Sequence, residues 1–271
     1  MMLFYFPLIL VSILGYGFFT SKKIIELRTS NLGFQGIIGI FFLLLISYIS
    51  TQFIAHSVEF NSIIILIGLI FFLIYMKEFN KEKSFKLLFL ILFLSLIFIL
   101  VGKNHDDFHY YHFPYILILT ELPHPLGLGN LNHGFRTPSS IFYINSLFYL
   151  PYIKFFHFHL AAVMIMGFSI FIMLNFLFQN IRKNNYDFYF FLSLFSLVFI
   201  LIFFYRISEH GTDRSAQILV FILMIYLLET FKNKEYNKID LFFISILFTL
   251  IISLKAFYFL YLLFIIPLFY F

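Results

Sequence analysis

The chain has 271 residues, 62% of them hydrophobic and only 11% charged, with 45 Phe, 18 Tyr and no Cys. This composition lies outside the range of water-soluble domains and inside that of multi-pass membrane proteins, and the lack of Cys excludes disulfides, thiolate metal sites and Cys nucleophiles. The net charge of +5 sits mostly in connecting loops, where membrane topology accounts for it, and carries no nucleic-acid signal.

A helical span needs roughly 20 apolar residues, and the expected fold is an all-α polytopic bundle of about eight or nine transmembrane helices in one domain over residues 1–271. The first run, residues 2–20, has its basic residues behind it, the reverse of a secretory signal peptide, so it reads as a retained span. Further runs cover 32–51, 62–76 and 87–101. After a long loop, 102–158, come 159–178, 188–205, 217–230 and 241–253, and a ninth run begins near 256. The chain ends inside apolar sequence, "FYFLYLLFIIPLFYF", so a longer parent protein is expected.

Lys and Arg concentrate in cytoplasmic loops. Connections after the odd-numbered spans hold Lys22, Lys23, Arg28, Lys77, Lys81, Lys83, Lys86, Arg182, Lys183, Lys232, Lys234 and Lys238, twelve of the 18 basic residues. The expected orientation therefore has the N-terminus outside. All nine histidines then fall on the outer side or at outer span ends.

Within the long loop, "FPYILILTEL" and "SSIFYINSLFYLP" are apolar but too short to span, and they read as helices lying in the interface plane. The Pro and Gly density of "LPHPLGLGNLNHGFRTPSS" between them marks an irregular loop. The stretch "KNHDDFHYYHFP", residues 103–114, carries two adjacent acids and three histidines. Read as continuous α-helix, it puts His105, His109 and His112 on one face and Asp107 with Tyr111 on the other. The alternative is a helix that begins after Asp107, with Asp107 as its N-cap. A carboxylate here has two readings, a helix cap or a general base. The histidine spacing is also compatible with zinc, or with an amphipathic surface. His56 reads as an ordinary loop residue.

A second polar cluster, "FYRISEHGTDRSAQ" at 204–217, places Arg206, Glu209, His210, Asp213 and Arg214 in one outer connection. It reads as a solvated loop with weak ion pairs, or as an arginine site for phosphate or carboxylate. Lys255 stands alone among apolar residues, either snorkelling to headgroups or functional.

The order Asp107-x-x-x-Tyr111-His112, then "GLGNLNHGFRTPSS", then a further apolar helix and a span, resembles bacterial membrane proteins of the GT-C glycosyltransferase superfamily over about residues 87–265. The resemblance implies transfer, with inversion, of a sugar from a polyprenyl-phosphate donor to an envelope polysaccharide, lipid or protein acceptor on the outer face. Asp107, or Asp106, would take the acceptor proton. His112, His133, Arg136, Arg206, His210, Arg214 and Lys255 would bind substrate and the departing phosphate. Some relatives use a divalent metal (Mg or Mn), for which Asp106 and His109 are the candidate ligands. The competing functions are a transporter or flippase for a glycolipid or anionic substrate, which needs ionisable groups at the bilayer midplane, and a non-catalytic assembly subunit.

Overall fold

A computed structural model of the chain describes residues 2–25, 31–78, 82–100, 105–153, 155, 158–208, 211–233 and 238–269. It is helical, with no strand among the described residues. The membrane-length helices are α1 (Met2–Phe19, continued by a π-helical turn Thr20–Ile24), α2 (Leu32–Ser50), α3 (Val58–Tyr75), α8 (Leu160–Arg182) and α10 (Gly211–Asn233). These five are long and apolar enough to cross a membrane. The shorter apolar helices are α4 (Glu82–Ser95), extended by α5 (Ile97–Leu100), α9 (Phe188–Phe203) and α11 (Lys238–Leu254). Two others, α6 (Phe113–Glu121) and α7 (Ser140–Ser146), are too short to span, and a 3-10 helix covers Ala256–Phe269.

Several helices begin where a side chain can take an orphaned amide. Asn31 accepts from the Gly33 N–H at 2.9 Å at the start of α2. The Asp187 carboxylate accepts from Tyr189 and Phe190, both at 3.1 Å, at the start of α9. The helix α10 starts at Gly211, earlier than its apolar run suggests, so Asp213 and Arg214 occupy its first turn instead of a loop.

The helix α8 is buried along most of its length, and α2, α4, α7, α9 and α10 pack around it. Lipid supplies no hydrophobic drive between helices, so contact depends on small residues that let backbones approach. Gly36 of α2 faces the Phe168 ring of α8 with no room for a Cβ, and Gly167 of α8 meets Leu92 of α4. Polar links add to this packing: the Tyr16 hydroxyl donates to the Ile64 carbonyl at 2.7 Å, and Ser21 donates to Gln35 at 2.7 Å. The outward faces of α3, α4 and α9 expose Leu66, Leu73, Phe93, Phe195 and Ile202, the arrangement expected where the surrounding solvent is hydrocarbon.

The connections sort to two ends. At one, Lys232 reaches Asp187 at 3.2 Å and Lys22 lies over the Tyr75 ring. At the other lie residues 51–57, 105–153, 158–159 and 204–208 with the end of α11. The His56 N–H donates to the Leu119 carbonyl at 2.8 Å, the His124 N–H to the Thr51 carbonyl at 2.6 Å, and the Ser139 hydroxyl to the Leu254 carbonyl at 2.7 Å. Here α7 departs from expectation. Every one of its residues is buried, so protein encloses it on all sides instead of leaving one face open as on a surface helix.

Replacing Gly36 by Leu would drive a side chain into Phe168, and overpacking of this kind typically costs about 1–3 kcal/mol. The thermal unfolding midpoint of detergent-solubilised Gly36→Leu should fall clearly, whereas Leu66→Ala on the exposed face of α3 should leave it nearly unchanged. Equal midpoints for wild type and Gly36→Leu would contradict this packing.

Candidate functional site

Pro114 shapes the site. It follows Phe113 near the start of α6 and has no N–H to offer the carbonyl of Tyr110, four residues back. The Asn132 side-chain amide donates to that carbonyl at 3.2 Å, docking the 127–136 loop onto the helix. Asn132 in turn accepts from the Gly134 N–H at 2.8 Å, and Gly134 sits against the Tyr111 ring where a Cβ would not fit.

Just before the proline the helix widens into a π-helical turn over Phe108–His112, with the Phe113 N–H donating to the Phe108 carbonyl. In an α-helix, residues five apart point about 140° away from each other. A π-turn, with its i→i+5 bonds, winds by fewer degrees per residue, which brings Asp107 and His112 nearer to one side. Both border one cavity.

Asp107 is not the cap that the sequence suggests. Its backbone is helical (φ −57, ψ −28) and its side chain makes no capping bond. The His105 imidazole takes that role, Nδ1 accepting the Asp107 N–H at 3.1 Å. The Asp107 carboxylate is left to accept from the Tyr111 hydroxyl at 3.4 Å.

The cavity has a volume of about 690 Å³. Asp107, Tyr110, Tyr111 and His112 line one side, His133, Gly134 and Thr137 to Ser139 another, and Thr212 with Ile252 to Phe257 the far wall. Lys255 enters just beyond the end of α11 and pairs with Asp213 of α10, Nζ to Oδ1 2.8 Å. Ser253 donates to the Ser140 hydroxyl at 3.0 Å, tying that wall to α7.

Asp107, His112, His133 and Lys255 therefore share the cavity, and the other candidates lie elsewhere. Asp106 and His109 are exposed. Arg136 Nε donates to the Gly129 carbonyl at 3.4 Å, within its own loop. Arg214 donates to Gln217 at 3.1 Å and lies over the Phe204 ring. Arg206 is exposed in the α9–α10 connection, and His210 lies outside the described residues.

Among the described residues no three His, Asp or Glu side chains are grouped to hold a metal ion. The zinc reading of the histidine spacing is thus not formed there, and Asp106 with His109 gains no third ligand of those types. Asp213 and Tyr111 were not among the candidates. Asp213 belonged to a conspicuous polar cluster, but its pairing with Lys255 has no signature in local spacing.

Burial lowers the His112 pKa to about 4, the charges of Asp107 and Asp213 opposing that shift and His159 and His105 adding to it. Burial, with Asp107 and Asp213, raises the Tyr111 hydroxyl to about 12. At neutral pH the site thus holds a neutral imidazole and a protonated phenol.

His56 is no ordinary loop residue, being fully buried. Ser146 donates its proton to the Tyr143 carbonyl at 2.8 Å, so the His56 Nδ1–H donates to Ser146 Oγ at 2.7 Å. Nε2 then accepts from Ser50 at 2.8 Å. Burial lowers this pKa to about 4 as well.

The fold and the polar end together define a multi-pass, all-α membrane protein with a cavity walled by two short non-spanning segments and the end of α11. The chain belongs to a family described as a domain of unknown function, DUF8201, which it matches over residues 1–271. No curated protein and no solved structure matches it.

The buried histidines set a pH dependence. Unfolded His takes a proton near pH 6.5, whereas folded His56, His112 and His159 stay neutral down to about 4. Stability should be insensitive to these groups above about pH 6.5 and should fall as the pH drops from there toward 4. Thermal melts in detergent at several pH values test this, and His56→Asn should make the fall shallower.

Proposed function

We propose that this protein is a membrane glycosyltransferase that moves a sugar from a polyprenyl-phosphate donor to a cell-envelope acceptor. The observation that carries the reading is the meeting of the Asp107 carboxylate and the Lys255 ammonium on one cavity of about 690 Å³ at the polar end of an apolar bundle. A donor with an apolar tail and an anionic headgroup fits a cavity at that depth, and aromatic walls from Tyr48, Tyr110, Tyr111, Phe142 and Phe257 suit a sugar ring.

In this reading the acceptor hydroxyl attacks the anomeric carbon of the donor. The bond from that carbon to the phosphate oxygen breaks, and the phosphate departs with the electron pair. Asp107 takes the hydroxyl proton as general base. Tyr111, hydrogen-bonded to Asp107 and held protonated, keeps the carboxylate oriented. Lys255 stabilises the charge gathering on the leaving phosphate, and Asp213 holds the ammonium in place until that charge develops. Each of these steps is carried by side chains of the chain itself.

The wider assignment is that all eight apolar helices span, that the N-terminus lies outside, and that the cavity opens on the outer face of a bacterial cytoplasmic membrane. The alternation of basic loops supports this.

The test is a strain whose only copy carries Asp107→Asn. Its surface glycan should fall by at least about 10²-fold, the lower range of a general-base contribution, while the protein reaches the membrane at wild-type level. Lys255→Met should also cost about 10²-fold, as expected for loss of one group that stabilises developing charge, with Lys255→Arg partly active. Normal glycan in Asp107→Asn would sink the assignment.

A further inference from the structure

Behind His112 lies a second cavity, of about 20 Å³, lined in part by Asn145, His159, Ser208 and Thr212. His112, Phe142 and Thr212 border both cavities, so the His112 ring stands in the partition between them. The side chain is 9% exposed, and its Nε2 has no hydrogen-bond partner in the protein. Ser208, which also lines the small cavity, is 3% exposed and its hydroxyl is likewise unpartnered. Buried polar atoms are rarely left so. A single water needs roughly 10–15 Å³ of this kind of space and two or more polar partners, and both conditions are met.

We propose that the small cavity holds an ordered water between His112 Nε2 and Ser208 Oγ, and that His112 with this water carries away the proton that Asp107 takes from the acceptor hydroxyl. The inference rests on the glycosyl-transfer reading and extends it. After transfer, Asp107 is a carboxylic acid and must lose its proton before the next cycle. His112 stands five residues along the π-turn on the same cavity, accepts that proton on one ring nitrogen and gives a proton from the other to the water, which hands it on toward bulk. Asp107 is again ionised and His112 again neutral with its proton on the other ring nitrogen; a flip of the ring restores the first tautomer before the next cycle, and only bonds to hydrogen change.

The groups acting on the imidazole are Asp107 and His105 from its own segment, His159 at the start of α8 and Asp213 on α10, with the Tyr111 ring packed edge-on at 4.3 Å. Burial outweighs the two carboxylates, and the ring stays neutral down to about pH 4. It is therefore fitted to pass a proton on and ill fitted to keep one.

The experiment measures glycan formation in membranes carrying His112→Ala, with and without added imidazole at tens of millimolar. Product formation should fall at least tenfold, and imidazole should restore part of it where an equal concentration of pyrrole, similar in shape but not a base, does not. Ser208→Ala, which leaves the cavity wall and the π-turn in place, should slow the reaction several-fold. Wild-type rates in both variants, or a His112→Ala loss that imidazole does not move, would overturn the relay. An inactive Asp107→Asn beside a fully active His112→Ala removes the relay alone, whereas a normal Asp107→Asn removes both the relay and the transfer reading.

Discussion

The approach of α2 to α8, where Gly36 meets the ring of Phe168, is the contact from which the remaining geometry descends. Lipid tails are as apolar as Leu, so nothing squeezes these helices together except the dispersion gained when backbones come close and the hydrogen bonds made across them. Once α8 is fixed, its first turn becomes an anchor. Asn145 accepts from the Ala161 N–H at 3.1 Å and so holds the end of α7 against it. The buried polar groups of α7 then gather His56 and Asn61, whose side-chain amide donates to the Ser146 and Tyr149 carbonyls at 2.8 and 3.0 Å. Polar residues in so apolar a chain thus do two separate jobs: some hold helix ends together, and some face the cavity.

The cavity-facing group depends on a local conflict that the fold turns to use. Pro114 breaks the regular amide ladder, the freed Tyr110 carbonyl is taken by Asn132, and the turn before it relaxes to five-residue bonding. Those linked adjustments bring a loop over the helix and swing Asp107 and His112 to one side. Short π-helical turns of this sort are found frequently at functional sites. A helix of uniform α geometry would have kept the carboxylate and the imidazole apart.

Much of the bundle was legible in the sequence because lipid demands long apolar runs. The eight runs correspond to helices, with ends shifted by up to six residues, as at α3, where the Ser57 cap starts the helix four residues before its apolar run. The site was legible only in part. Asp107, His112, His133 and Lys255 stand out as ionisable groups in apolar surroundings and meet at the cavity. Arg136 and Arg214 stand out equally, yet they spend their guanidinium groups on a loop carbonyl, a glutamine and a ring face. Composition cannot separate these cases, since each depends on which neighbour the tertiary fold supplies. The capping role was misjudged for a different reason: two adjacent acids before an apolar helix are a strong local signal, and the His105 imidazole competes for the same amide. The burial of α7 was hidden because a short apolar helix looks the same whether lipid or protein covers it.

The bonds from Ser139 to the Leu254 carbonyl and from Ser253 to Ser140 join segments more than a hundred residues apart in the chain. During synthesis, at about 5–20 residues per second, the loop that carries Asp107 must wait on the order of ten seconds before the stretch that carries Lys255 exists. The wall that carries Lys255 therefore joins the cavity well after the wall that carries Asp107, and the two serine bonds can close only once the end of α11 has been made.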